Sequence, residues 1–398
     1  MLNKYNRYPT LLLVALLYIS VFSSFIGSWL PSVFGLTSGG VLRDILVVLF
    51  IIYSILKVLR FGKPIEYVAL AFYVLFVLLV FLLVITSGNI SASILGGRNM
   101  LLFLPFGLFV SFLINRGLID ASLVRKNIIL VGFIAAFLGV LEVLTDGIIL
   151  NILGYDPNYT GSEYFKPVSS YLGFVRATGG ISDALIFGYL MAFSSFIVLF
   201  QMIYKNKPFW INVFYFVLFV LSFSAMIFAM TRGAFVVFFF GLFLILFFGL
   251  NFKNRIILLI LSLLICVLFI QTEYGQAMIV RFFGNEQHSV SSSNYRIYMA
   301  LDSIKTLIDN PLGIGLGTQG AGMKFLSEDT RINTDNYFFY VMLEVGILGF
   351  ILVFLMNLIQ FCLVRKTSHR YMFLFMFFGY FICGALSSAL ISPVLSIS

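Results

Sequence analysis

Apolar runs too long and too solid for a water-soluble domain dominate this chain. Ile45–Leu56 and Val236–Leu250 carry no charged residue and sit among further stretches of the same kind. A membrane-spanning helix needs about 20 mostly apolar residues, and backbone inside lipid must satisfy its own hydrogen bonds, which a helix does. A membrane β-barrel would instead alternate apolar and polar residues in short strands. Charged residues make up 10% of the 398 residues, where soluble domains run near a quarter. The expectation is an all-α, polytopic integral membrane protein, with residues 1–398 forming a single transmembrane domain.

About eleven spans are predicted, near 10–30, 42–58, 65–86, 99–115, 127–145, 182–203, 209–229, 233–250, 256–272, 337–360 and 371–391. Alternate connections carry Lys4 and Arg7; Lys57, Arg60 and Lys63; Arg116, Arg125 and Lys126; Lys205 and Lys207; Lys253 and Arg255; and Arg365, Lys366 and Arg370. These are fifteen of the 25 lysines and arginines, accompanied by only Glu66 and Asp120. The positive-inside rule puts that side, and the N-terminus, in the cytoplasm. The basic balance is therefore a topology signal held in short loops, and nucleic acid is not an expected partner.

Leu11–Leu30 follows Lys4 and Arg7 but lacks a small-x-small cleavage site, so it reads as an uncleaved first helix. Cys266, Cys362 and Cys383 lie in apolar runs without zinc-like or redox spacing. No metal-binding D-x-D occurs, and no cofactor is implied.

Two longer segments, a smaller one at 146–181 and a large one at 273–336, face outward in this topology. Nucleotide-activated substrates are not normally present there, so any chemistry must use a substrate that is already activated. In the smaller loop Arg176 directly precedes a span. Arg232, in Met230-Thr231-Arg232-Gly233-Ala234, interrupts two apolar runs so briefly that a tight helical hairpin is predicted, with an arginine in its turn. A charge at that depth is expected to be paired or functional.

In the large loop, Ile297, Ala300, Leu301, Ile304, Leu307 and Ile308 recur at helical spacing, predicting an amphipathic helix over Ser293–Ile308 that lies on the membrane with its apolar side down. Capping by Ser291, Ser292 or Ser293 would place Arg296 in the first turn, where the helix terminus itself favours anions. The stretch Gly315-Leu316-Gly317-Thr318-Gln319-Gly320 matches the dinucleotide fingerprint only literally, since it lacks the strand–turn–helix setting. Its amides are suited to cradling phosphate. Asp335 is placed to cap the following helix. Glu344, nine residues on, faces nearly the opposite way and is expected to pair inside the bundle.

These residues, over roughly 170–350, resemble the O-antigen polymerase and ligase family of polytopic envelope glycosyltransferases. Arg176-Ala177-Thr178-Gly179 looks like its arginine–glycine element, and Thr231-Arg232-Gly233-Ala234 like its Ser/Thr-Arg-Gly-Ala hairpin. Arg296 with Asn310-Pro311-Leu312-Gly313-Ile314-Gly315-Leu316-Gly317 resembles its arginine helix and glycine loop. Asp335-Asn336 with Glu344-Val345-Gly346-Ile347-Leu348-Gly349 resembles the closing pattern. Ligases of the family typically carry His at the position of Asp335, whereas the two histidines here are His288 and His369. That departure favours a polymerase over a ligase.

The resemblance implies a bacterial inner-membrane enzyme whose donor and acceptor are both oligosaccharides on undecaprenyl pyrophosphate. The acceptor hydroxyl attacks the anomeric carbon, with inversion the simplest outcome and no metal required. Arg176, Arg232 and Arg296, then Arg281 and Arg331, would bind the pyrophosphate, since guanidinium stays charged and grips phosphate oxygens bidentately. Asp335 is the expected base or orienting group, with Asn336, Glu344, Gly315 and Gly317 in support. Membrane lipid is a partner, and a chain-length regulator is a further candidate. A transporter or flippase of lipid-linked sugar is the alternative from another class; the absence of an internal repeat speaks against it.

Overall fold

The computed structural model describes residues 7–22, 39–149, 155–156, 166–167, 170–171, 174–181, 183–204, 208–246, 267, 270–283, 287–319, 334, 336–364 and 379. Helix dominates: α1 Arg7–Val21, α2 Gly39–Phe61, α3 Pro64–Ile85, α4 Ile90–Leu102, α5 Phe106–Asn115 and α6 Ala121–Leu144 come first. Then follow α7 Ala184–Tyr204, α8 Phe209–Phe228, α9 Arg232–Leu244, α10 Glu273–Phe283, α11 Gln287–Asp309 and α12 Tyr337–Val364. Between α6 and α7 lie four two-residue strands, β1 Tyr155–Asp156, β2 Lys166–Pro167, β3 Ser170–Tyr171 and β4 Phe174–Val175. β1 and β2 pair in parallel, and β3 and β4 antiparallel with Ser170 opposite Val175. The all-α expectation holds.

Among the described residues, six helical stretches are long and apolar enough to cross a membrane: Pro64–Ile85, Ile90–Asn115, Ser122–Leu144, Ala184–Ile203, Phe209–Phe228 and Tyr337–Leu363. The eleven predicted spans are thus matched in part, and those near 256–272 and 371–391 fall almost wholly outside the described residues. The span expected at 99–115 begins earlier, at Ile90, and comprises α4 and α5 joined through residues 103–105.

Helix ends follow from local chemistry. Pro64 opens α3, and the Glu66 carboxylate turns back to accept the Lys63 N–H at 2.9 Å, a capping-box contact. Glu66 is fully buried and also pairs with Arg116 and Asn115 across the bundle. Asn89 caps α4 by accepting from the Ala92 amide at 3.1 Å, and Asp120 caps α6 from the Ser122 amide at 2.9 Å.

Packing divides into two neighbourhoods. α3 lies against α4 and α12, and α5 against α2 and α12. A ring cluster fills the interior there, with Phe50 on Phe106 at 5.1 Å and Tyr73 edge-on to Phe109 at 4.9 Å. In the other, α8 lies against α6 and α7, and α9 packs on α7. Helix α7 is the most enclosed span; a Cβ on Gly132 would lie 2.4 Å from Ser194 Oγ, so glycine sets the close approach of α6. The rim of the molecule is apolar, with Leu75, Leu78 and Phe81 of α3 and Phe209, Trp210 and Phe214 of α8 exposed.

The large 273–336 segment differs from its expected form. Its described residues include two helices, α10 and α11, and α11 begins at Gln287 rather than Ser293. Ser291, Ser292 and Ser293 are therefore inside the helix, and Arg296 sits well past its first turn, which removes the helix-terminus argument made for it. The apolar stripe of Ile297, Leu301, Ile304 and Ile308 is exposed, so none of the described residues covers it.

Candidate functional site

Two of the motifs separated in sequence meet in space. The chain enters α7 through Arg176-Ala177-Thr178-Gly179-Gly180, and α8 turns into α9 through Ala229-Met230-Thr231-Arg232. Ala177 donates its N–H to the Phe228 carbonyl at 3.0 Å. The Arg176 guanidinium donates from Nε to the Ala229 carbonyl at 3.0 Å and from Nη2 to the Thr231 hydroxyl at 3.4 Å. Thr231 Oγ1 in turn lies 3.1 Å from the Ala184 carbonyl at the start of α7. Arg176 is thereby pinned to the residue that precedes Arg232, the first residue of α9. Burial pulls the Arg176 guanidinium below its usual range, opposed by the charge of Asp183, and arginine stays protonated nonetheless.

The turn is strained and crowded. Met230 is fully buried and has φ +49°, a region that side chains other than glycine seldom occupy. A Cβ on Gly233 would meet Tyr189 Oη at 2.0 Å. Such strain persists only where the surroundings over-determine the backbone.

Sequence reasoning missed what holds the Arg176 segment. Glu142, fully buried near the end of α6, accepts the backbone amides of Thr178, Gly179 (3.1 Å) and Gly180 (3.2 Å) and the Thr178 hydroxyl (3.2 Å). Gly179 and Gly180 have φ +58° and +79°, the left-handed region that aims three consecutive amides at one carboxylate. The available signal was a lone acid in an apolar span.

The second assembly joins the glycine loop to α12, which breaks at Gly346 (φ 74°, ψ 178°). An unbroken helix would bond the Leu343 carbonyl to the Ile347 amide. Here the Leu343 carbonyl accepts Ile314 N–H at 2.7 Å, and Ile347 N–H donates to the Pro311 carbonyl at 3.0 Å. The loop's backbone thus satisfies both groups orphaned by the break. A Cβ on Gly346 would lie 2.5 Å from the Leu312 backbone, and one on Gly313 would lie 2.7 Å from Gly346 N.

Glu344, also fully buried, accepts the amides of Gly317 and Gln319 through Oε1, each at 3.1 Å. The expected pairing within the bundle is therefore with loop backbone, and the Gly317 amide is occupied rather than open to phosphate. Glu344 Oε2 and the Tyr340 hydroxyl, one turn earlier, lie near each other but outside hydrogen-bond geometry. The loop is seated on α4: Ser93 donates to the Leu316 carbonyl at 3.1 Å, and a Cβ on Gly96 would lie 2.3 Å from Gly317 N. Gly315, at φ +107°, has no neighbour that a Cβ would meet.

Arg296 is exposed on α11. Arg281 lies on α10. Asp335 and Arg331 fall outside the described residues. The N-cap of α12 is Asn336, whose side chain accepts the amides of Phe338 (2.9 Å) and Phe339 (3.3 Å), so the capping role expected of Asp335 belongs to its neighbour. Among the described residues, no three His, Cys, Asp or Glu side chains are grouped to hold a metal ion.

The Arg232 turn, α11, the glycine loop and the Gly346 break all lie within residues 217–354, the stretch matched by the sequence family described as O-antigen ligase. Similarity also extends through most of the chain. An O-antigen polymerase from Salmonella muenchen is 35% identical over 387 residues, covering 90% of this chain and 93% of its own length. The chain belongs to the O-antigen polymerase and ligase family. Within that family membership, Arg176 and the Glu142 anchor lie outside the 217–354 match but inside the fold that the Arg232 turn builds.

Proposed function

We propose that this protein polymerises O-antigen or a related surface polysaccharide, joining oligosaccharide repeat units carried on undecaprenyl pyrophosphate at the outer face of the bacterial inner membrane. The observation that carries this reading is the 35% identity, across 90% of the chain, to an O-antigen polymerase. The basic connections between spans support a cytoplasmic N-terminus and an outward-facing site.

In the proposed reaction a hydroxyl of the acceptor unit attacks the anomeric carbon of the donor glycan. A new C–O bond forms there as the bond to the lipid pyrophosphate breaks, and the electron pair leaves with the pyrophosphate. Attack from the opposite face inverts the carbon. Arg176 and Arg232, brought to one turn, and Arg296 on α11 take up the charge that grows on the leaving group; Arg281 and Arg331 are secondary candidates. A preorganised donor of this kind is worth roughly 10²–10³ in rate. Asp335 orients the attacking hydroxyl or accepts its proton. Asn336, Glu344, Gly315 and Gly317 shape the glycine loop and α12. A chain-length regulator is a candidate partner.

A ligase is the second reading, favoured by the description of the matching family and disfavoured by Asp335 in place of His. Transporters also use broken helices near their sites, but both backbone groups at the Gly346 break are already taken by the protein's own loop. Purified protein given defined undecaprenyl-pyrophosphate repeat units should yield a product ladder. A single transfer to another lipid would indicate a ligase, and movement across vesicles without bond formation a transporter.

A further inference from the structure

The same helix that seats the glycine loop carries a second cationic group that the reaction above does not use. Arg98, two residues past Gly96 on α4, pairs through Nη1 with Asp44 Oδ2 at 3.4 Å. Arg43 on α2 takes the other oxygen, Nη2 to Oδ1 at 3.0 Å. Among the described residues no second carboxylate pairs with either arginine, so the cluster keeps one positive charge in excess. Arg43 does not reach away to solvent: its side chain is 10% exposed and its guanidinium lies 4.9 Å from the centre of the Phe103 ring. Arg98, at 37%, presents an accessible face. On α2 the cluster stands 17 residues from Arg60, about 25 Å along a helix, which places it toward the opposite membrane interface from the basic connections.

An apolar groove of about 480 Å³ lies along α2 and α3, its nearest walls one helical turn from this cluster. Val48 is one turn below Asp44, Leu102 one turn below Arg98, and Ile52, Ile55, Val74 and Leu78 continue the walls. A cationic end and an apolar trough on the same helices fit a lipid with a phosphate-bearing head. Charged side chains within a span are costly and mark ligand sites or paired structure, and here, among the described residues, two arginines share one carboxylate.

We infer that Arg43 and Arg98 bind the pyrophosphate of a second undecaprenyl-linked molecule, the acceptor, with its isoprenoid chain in the α2–α3 groove. Naming this lipid as the acceptor rests on the polymerase reading; the site itself does not. A polymerase must hold two such lipids at once, and Arg176 with Arg232 serves the donor. Arg98 lies two residues along α4 from Gly96, against which the glycine loop is seated.

The test counts bound sugar-free undecaprenyl pyrophosphate by native mass spectrometry of the full chain in lipid nanodiscs. Wild type should bind two molecules. Arg98→Gln, which removes the head contact, and Leu78→Trp, which fills the groove and leaves both arginines in place, should each weaken one of the two by about tenfold or more. Arg232→Gln should weaken the other. Binding of one molecule by wild type, or two at unchanged affinity in both Arg98→Gln and Leu78→Trp, overturns the site. Equal displacement by phosphatidylglycerol also overturns it, by reducing the groove to ordinary lipid contact. A wild-type protein that binds two but makes no ladder would sink the polymerase reading alone. One that makes the ladder but binds a single lipid would sink this inference alone.

Discussion

Glu142 and Gly179, 37 residues apart, are joined by a 3.1 Å hydrogen bond between a buried carboxylate and a backbone amide. The neighbouring amides of Thr178 and Gly180 point to the same group, and Arg176 begins the turn they form. An acid in α6 therefore sets where a guanidinium stands at the mouth of α7. Glu142→Gln keeps the shape but replaces one acceptor oxygen by an NH₂, which cannot receive an amide. The expected loss is roughly 1.5–3 kcal/mol, the range for a hydrogen bond to a charged group. Thermal unfolding of the detergent-solubilised variant measures it, and a midpoint equal to wild type would mean that the contact does not hold the segment.

The glycines of the loop separate into two kinds. Gly317 has φ +79°, and a Cβ there would meet the Ala92 carbonyl at 2.1 Å; backbone lies against backbone and neither can turn aside. Gly315 has φ +107° but open space around its would-be Cβ. Gly317→Ala is expected to destabilise well beyond Gly315→Ala, for which backbone strain of order 1–3 kcal/mol is the main cost. Parallel unfolding curves decide the matter, and equal losses would contradict the seating of the loop on α4.

Asp120 gives the fold an acid-sensitive contact. The Ser122 hydroxyl, then the Leu123 and Ser122 amides and the charge of Lys126, hold its carboxyl below the usual range. A depressed folded value means that the stabilisation is present above the unfolded pKa, about 3.9, and is lost as pH falls through the lower folded value. Asp120→Ala should cost roughly 0.5–2 kcal/mol near neutral pH, as for other N-caps. Its deficit against wild type should shrink as acid protonates the wild-type carboxyl. A deficit that stays constant or grows in acid would rule out this role.

Much of this fold is legible because lipid as solvent leaves few choices. Solid apolar runs such as those of α3 and α8 have only the helix available. The span of α4 and α5 was harder to bound: Ile90–Gly97 mixes serine and glycine with apolar residues, and the span it opens has the lowest hydropathy of the six. The break at Gly346 was not legible, since Glu344-Val345-Gly346-Ile347-Leu348-Gly349 reads equally as a helix with a small-residue face. What stabilises the break is the Pro311–Ile314 backbone, a non-local partner that no periodicity announces. Asp335 and Asn336 are adjacent and both suited to capping, so only geometry assigned the cap to Asn336. Glu142 signalled that it needed a partner, but nothing in its own run pointed to Thr178.

The sharpest test of the proposed chemistry keeps the charge and changes its geometry. Lysine carries the same charge as arginine at neutral pH but presents one ammonium in place of a planar fork, and cannot grip a phosphate bidentately. At Arg176 the fork also spans the Ala229 carbonyl and the Thr231 hydroxyl, so Arg176→Lys gives up about 1 kcal/mol of positioning as well. Both Arg176→Lys and Arg232→Lys are expected to lower kcat for polymerisation by roughly 10²-fold, with the larger loss of thermal stability at Arg176. Thr231→Val is the comparison. It removes a hydroxyl that Arg176 touches and leaves both guanidinium groups in place, so its loss in kcat should fall between wild type and Arg176→Lys. Rates come from product ladders with defined lipid-linked units. If Arg232→Lys turned over at the wild-type rate, a bidentate hold on the leaving pyrophosphate at that turn would have to be abandoned.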